Sequence, residues 1–174
     1  PACSSLQLCL AGCGMSAEGL AVLAAQGVAH CPSLSELWLG GNPDMLKGAK
    51  GQAACTALAK MLPACSLLEK LDLQECGMSA ECLAVLAAQG VAHCPSLSEL
   101  HLDDNPDMLK GAEGNKACSA LAKALPACSS LQNLRLGECG MSAEGLAVLA
   151  AQAVAHCPSL SELHLDDNPD MLKG

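Results

Sequence analysis

Leucines recur along this chain in a short beat followed by a longer one. From Leu68 the chain reads LEKLDLQECGM, with leucines at 68, 71 and 73, and from Leu97 it reads LSELHLDDNPDM, with leucines at 97, 100 and 102. Side chains alternate across a strand, so Leu71-Asp72-Leu73 predicts a short strand whose leucines enter the core while Asp72 points outward. Leu83, Leu86, Ala87 and Val91 then fall at helical spacing. Ser79 suits the N-cap of that helix, Glu81 its first turn, and His93-Cys94-Pro95 its end. After the second leucine run, the Gly- and Pro-rich stretch NPDMLKGAEGNK (Asn105 to Lys116) predicts an irregular linker that bulges at the rim. A short helix should follow, marked by Cys118, Leu121 and Leu125 and closed by Pro126.

The beat is periodic. CGMSAE recurs at Cys13, Cys76 and Cys139, and PSLSEL at Pro32, Pro95 and Pro158, a period of 63 residues. Self-similarity at such a period marks a solenoid, in which each coil contacts its neighbours and contributes side chains to a shared surface. The units are 1–62, 63–125 and an incomplete 126–174. Each holds one coil of 29 residues (Leu68 to Leu97) and one of 34 (Leu97 to Leu131), giving a single array of about six coils over 1–174. Pro1 begins where Pro63 and Pro126 sit inside the array, and Gly174 stops before the next expected helix. The chain therefore reads as a stretch of a longer solenoid, whose end coils should fray or associate end to end.

Both halves follow the spacing L-x-x-L-x-L-x-x-N/C. ECGMSAE leading into a helix, alternating with a coil whose strand ends in Asn and whose helix ends in LPAC, resembles the ribonuclease-inhibitor class of leucine-rich repeats across essentially the whole chain. The resemblance implies an α/β horseshoe with a parallel sheet on the concave face and helices on the convex face. It also implies a function that rests on protein contacts, since that class includes inhibitors, receptor sensor domains and GTPase-activating proteins. It does not imply ribonuclease binding, because the matching residues are those that build the coil.

Composition narrows the partner. Nine Lys and Arg against 18 Asp and Glu give a net charge of −9, which argues against nucleic acid. Two readings of the acidity stay open: attraction of a basic protein surface, or solubility of an Ala- and Leu-rich array. No stretch is long and apolar enough to enter a membrane, and no signal peptide is evident. The hydrophobic content of 51% contains no Phe or Tyr and only one Trp, so the core should consist of thin repeated layers.

The 13 cysteines sort onto the repeat. Cys13, Cys76 and Cys139 alternate with Asn42, Asn105 and Asn168 just after each strand, where a small polar group can satisfy the turn's backbone. Cys3, Cys31, Cys65, Cys94, Cys128 and Cys157 should stack as an internal ladder with rungs about 5 Å apart. Such rungs could hold free thiols or disulfides. An odd count on a regular repeat core favours free thiols and a reducing intracellular compartment, the cytoplasm foremost, with an organelle as the other option. Cys55 and Cys118 read as core residues of the shorter helix. His30-Cys31, His93-Cys94 and His156-Cys157 resemble metal ligands, but equivalent pairs lie on the order of 10 Å apart and cannot share an ion. The histidines suit helix C-termini instead, and no metal or cofactor is expected.

Comparison of the units points to the outward strand positions. Cys9, Trp38, Asp72, His101, Arg135 and His164 replace one another there, while helices and turns stay nearly constant. The surface so formed should contain Glu36, Trp38, Lys70, Asp72, Glu75, Glu99, His101, Asp103, Asp104, Arg135, Glu138, Glu162, His164, Asp166 and Asp167. It is acidic, steers a basic protein, and has Trp38 beside Gly40 and Gly41 as its apolar anchor. His101-x-Asp103 and His164-x-Asp166 could each be an acid/base pair, but no nucleophile or enclosed pocket accompanies them, so no enzymatic activity is expected. The chain reads as a protein-binding scaffold. The alternatives are an architectural subunit of a larger assembly, docking by ends, rims or helices, and a consensus-type repeat without a partner.

Overall fold

Six short strands pair in chain order into one parallel sheet: β1 (Leu6–Cys9), β2 (Leu34–Trp38), β3 (Lys70–Asp72), β4 (Glu99–His101), β5 (Asn133–Arg135) and β6 (Glu162–His164). The computed structural model describes residues 5–27 and 31–172, so Cys3 and His30 lie outside the described residues. The register aligns Leu37, Leu71, Leu100, Leu134 and Leu163 in one row. The first four of these are essentially inaccessible to solvent. Between strands the chain crosses back through α1 (Ala17–Val22), α2 (Gly48–Met61), α3 (Ala80–Gln89), α4 (Gly111–Ala124) and α5 (Ala143–Gln152), each packed on the next. One continuous core fills the space between sheet and helices. The result is an α/β solenoid with strands on one face and helices on the other.

Local signals explain the helix starts. Ser16, Ser79 and Ser142 accept bonds from the backbone N–H of Gly19, Cys82 and Gly145 at 3.1, 3.2 and 3.2 Å, satisfying donors the first turn leaves free. Leu83, Leu86, Ala87 and Val91 are all fully buried, as their spacing predicts. The α-helix stops earlier than His93, however. It ends at Gln89, and a tight 3₁₀ turn over Val91–His93 follows Gly90.

The expected rim linker is absent, and the helix after it is the long one. α2 and α4 have 14 residues each against ten for α3 and α5, so Cys55 and Cys118 lie on the longer helices. NPDM forms a tight turn closed by Met45 N–H donating to Asn42 C=O and Met108 N–H to Asn105 C=O. That turn drives Met45, Leu46, Met108 and Leu109 into the core, where each is at most 1% exposed. Burying such a side chain stabilises by about 1.5–3 kcal/mol, which a solvated bulge would forfeit. The glycines that suggested a loop have specific tasks. Gly48 and Gly111 take φ of +65° to turn the chain into the helix. Gly51 and Gly114 let its first turn close onto the carbonyls of Leu46 and Leu109, where a Cβ would overlap backbone.

Asparagine and cysteine do parallel work between coils. Asn105 Nδ2 donates to Leu73 C=O at 3.0 Å, and its Oδ1 accepts from Met78 N–H at 2.8 Å. Cys76 Sγ donates to Leu39 C=O at 3.4 Å and Cys139 Sγ to Leu102 C=O at 3.2 Å. Each side chain thus reaches a carbonyl of the strand region in the preceding coil.

Candidate functional site

Parallel register turns the outward strand positions into rows. One row runs Cys9, Trp38, Asp72, His101, Arg135, His164, and beside it runs Gln7, Glu36, Lys70, Glu99, Asn133, Glu162. Past the strand ends the hydrogen bonding continues, with Glu75 N–H donating to Asp103 C=O and Asp104 N–H to Gly137 C=O, each at 3.0 Å. This same position is left-handed in every coil: Gly12, Gly41, Glu75, Asp104, Glu138 and Asp167 all have φ between +49° and +70°. The last four are exposed acids. A left-handed residue with a Cβ is strained by about 1–2 kcal/mol, so this acidic row holds a conformation that glycine adopts freely.

Trp38 Nε1–H donates to Glu36 Oε2 at 2.9 Å, and Gln7 Nε2 donates to the other oxygen at 2.9 Å. Its ring meets His101 edge to face, with centroids 6.0 Å apart. Trp38 is half-buried, so part of its surface remains open. Lys70 Nζ lies 2.9 Å from Glu99 Oε1, and that bond raises the lysine's pKa.

Two expected surface acids are not open to solvent. Asp72 is on the sheet face but only 4% exposed, and Asp103 only 9%. Asp72 fits against Gly40, where a Cβ would come within 2.6 Å of its Oδ2, and Oδ1 accepts from Gln74 N–H at 3.0 Å. Burial raises both carboxyl pKa values, opposed by the charge of His101 and Arg135 nearby. The outward direction of Asp72 is as the alternation predicts, but covering side chains remove it from water.

The two His-x-Asp sequences do not form acid/base pairs. His101 Nε2 lies 3.6 Å from Glu99 Oε2, and Asp103 Oδ2 lies 3.5 Å from Arg135 Nε. Likewise His164 Nε2 lies 3.6 Å from Glu162 Oε2. The side chain two residues before each histidine, on the same strand face, takes the place the later Asp was expected to fill. Asp166 is exposed beyond the end of β6.

Between β4, β5 and β6 a cleft of about 270 Å³ is lined by Glu99, His101, Gln132, Asn133, Arg135, Ser161 and Glu162. Gln132, Asn133 and Ser161 escape sequence reasoning, although Asn133 is the one amide among charged neighbours in its row from β2 to β6. Asn133 Nδ2 donates to Glu162 Oε2 at 2.7 Å, leaving its Oδ1 without a donor. His101 Nε2, Asp103 Oδ1 and Arg135 Nε are also buried without a hydrogen-bond partner, and Gln152 Oε1 is the remaining such atom among the described residues. Four of these five atoms therefore belong to β4, β5 and Asp103, the second residue past β4. An unsatisfied buried polar group costs about 1–3 kcal/mol.

The ladder thiols sit where the repeat places them. Cys65, Cys94, Cys128 and Cys157 are buried and Cys31 is partly so, all as free thiols. Burial pushes Cys94 and Cys128 up to about 12, which keeps them protonated. His93 and His156 end short 3₁₀ turns. Among the described residues no group of three or more His, Cys, Asp or Glu side chains is arranged to hold a metal ion, and no helix is long and apolar enough to cross a membrane.

With stacked coils, a leucine ladder and Asn or Cys bonding each coil to the last, the fold is a leucine-rich-repeat solenoid. A family model described as a leucine-rich repeat matches residues 127–150, which cover β5 and most of α5. That match, over one stretch of the array, supports the leucine-rich-repeat reading of the fold, and such repeats commonly serve in protein interaction.

Proposed function

We propose that this array is a non-enzymatic scaffold that holds a protein partner with a basic surface on its acidic sheet face. The observation that carries the reading is the concentration of buried polar atoms without a hydrogen bond at His101, Asp103, Asn133 and Arg135, where the nearest carboxylates stand off at 3.5–3.6 Å from His101 Nε2 and Arg135 Nε. A partner presenting both donors and acceptors to the adjoining cleft would supply the hydrogen bonds that these atoms lack in the isolated chain. The row Glu75, Asp104, Glu138 and Asp167 supports the same face, because the turn that every coil makes there presents four exposed carboxylates side by side. Opposite charge would steer a basic partner, and half-buried Trp38 supplies an apolar contact beside the acids.

The alternation of Asn and Cys bonding between coils supports the ribonuclease-inhibitor-like subclass. Buried free thiols fit a reducing intracellular compartment, most simply the cytoplasm. The test is retention of proteins from a native extract, under reducing conditions, on the wild-type array and on a variant carrying Glu75→Gly, Asp104→Asn, Glu138→Gly and Asp167→Asn. These residues tolerate left-handed backbone, so charge is removed without unfolding the array. Basic proteins held by the first and lost by the second are expected. Equal retention by both would refute the reading and move recognition to the helices, rims or ends.

A further inference from the structure

The three units differ at one helix position in a way that changes chemistry. Cys82 occupies the third position of α3, whereas its counterparts in the other units are Gly19 and Gly145. Facing it on α2 is Cys55, whose Sγ lies 3.2 Å from Cys82 C=O. Cys82 Sγ lies 3.0 Å from Gln52 Oε1, one turn before Cys55 on the same helix. Both thiols are fully buried between α2 and α3 and bonded to nothing covalently. The next unit repeats half of this arrangement. Cys118 Sγ lies 3.2 Å from Gly145 C=O, with no thiol opposite.

From this juxtaposition we infer that Cys55 and Cys82 are a reversible dithiol/disulfide site, oxidised by hydrogen peroxide and restored by thiol reductants, that ties the second coil to the third.

The surroundings make Cys82 the attacking group. Cys55, whose thiol donates to the Cys82 carbonyl at 3.2 Å, contributes most to stabilising charge on Cys82, Ser79 adds to it, and the N-terminus of α3 favours negative charge there. Together they lower the Cys82 pKa, while Cys55 is pushed up and stays protonated. The Cys82 thiolate attacks one peroxide oxygen, the O–O bond breaks, and hydroxide leaves with Cys82 as a sulfenic acid. Cys55 sulfur then attacks the Cys82 sulfur, its proton going to the departing hydroxide, and the S–O bond breaks. Two thiols lose two hydrogens, and one peroxide becomes two waters. The ladder thiols lack this activation. Cys94 and Cys128 are held at about 12 by burial, and Cys128 Sγ is bonded to Val91 C=O at 3.2 Å. The link would lie behind β2 and β3, the strands that carry Trp38 and Asp72.

The experiment uses the full reduced chain with exposed Cys9 and Cys13 first alkylated under native conditions. One equivalent of hydrogen peroxide is added, remaining thiols are alkylated in denaturant, and the protein is mapped by mass spectrometry without reduction. One disulfide joining Cys55 to Cys82 is expected, with Cys118 and the ladder cysteines alkylated. Cys82→Gly, the residue of the other units, should abolish that link with the fold retained by circular dichroism. Full alkylation of Cys55 and Cys82 in wild type, or a first disulfide between ladder cysteines, would overturn the inference.

Discussion

Replacing Asn105 with alanine should cost far more stability than the size of the change suggests. Asn105 is fully buried, and its Nδ2 donates to the carbonyls of Leu73, Leu102 and Asp103 at 3.0, 2.8 and 3.1 Å. Its Oδ1 accepts from the backbone N–H groups of Cys76 and Met78 at 3.2 and 2.8 Å. Alanine leaves those two N–H groups buried without the acceptor, at about 1–3 kcal/mol each. The carbonyls lose a donor as well, but a carbonyl with one remaining bond suffers less. The expected loss is about 4 kcal/mol, a large share of the roughly 5–15 kcal/mol that holds a domain folded. Asn105→Cys keeps a donor of the kind Cys76 uses toward Leu39 C=O but supplies no comparable acceptor, so it should recover only about 1 kcal/mol. Urea unfolding followed by circular dichroism and by Trp38 fluorescence measures both variants, the two probes together testing whether the array unfolds as one unit. An alanine variant within about 1 kcal/mol of wild type, or a cysteine variant equal to asparagine, would refute this account of how coils are joined.

Gly114→Ala would gain about 1 kcal/mol in an ordinary exposed helix. Here the methyl overlaps the Leu109 carbonyl, and Leu109 N–H is fixed to Cys139 C=O at 2.8 Å, so urea unfolding should show a loss of about 1–3 kcal/mol. Glu138→Gly relieves about 1–2 kcal/mol of left-handed strain at a chain-entropy cost of about 0.5–1 kcal/mol. Its melting temperature should hold or rise, and a fall would contradict the strain argument. Asp72 has a raised pKa, so its folded form binds a proton more tightly than its unfolded form. Its contribution to stability is therefore greatest in acid and declines as pH rises from the ordinary aspartate range through the raised folded value. Asp72→Asn should remove that decline. The difference in urea midpoint between the two proteins should widen with pH over this window and then level off, and a constant difference would sink the assignment.

The strands, their parallel order and the buried face of α3 were legible because leucine spacing and serine caps are local signals. α2 and α4 were not. Glycines at 48, 51, 111 and 114 read as breakers, but their roles depend on where Leu46 and Leu109 return to the core, which only the folded coil displays. The rows of the sheet face were legible from the period, because parallel register preserves it. The covering of Asp72 and Asp103 was not, since it depends on how Trp38, His101 and Arg135 lean across neighbouring coils. The same limit hid the cleft residues Gln132, Asn133 and Ser161, which meet only through stacking.

Carbodiimide footprinting of carboxylates, with and without a retained basic partner and read residue by residue in a mass spectrometer, tests the central claim most directly. Glu75, Asp104, Glu138 and Asp167 on the sheet side should lose labelling in the complex, while exposed Glu81, Glu113 and Glu144 on the helices keep theirs. Protection confined to the helix acids, with the sheet-side row labelled as in the free chain, would contradict it.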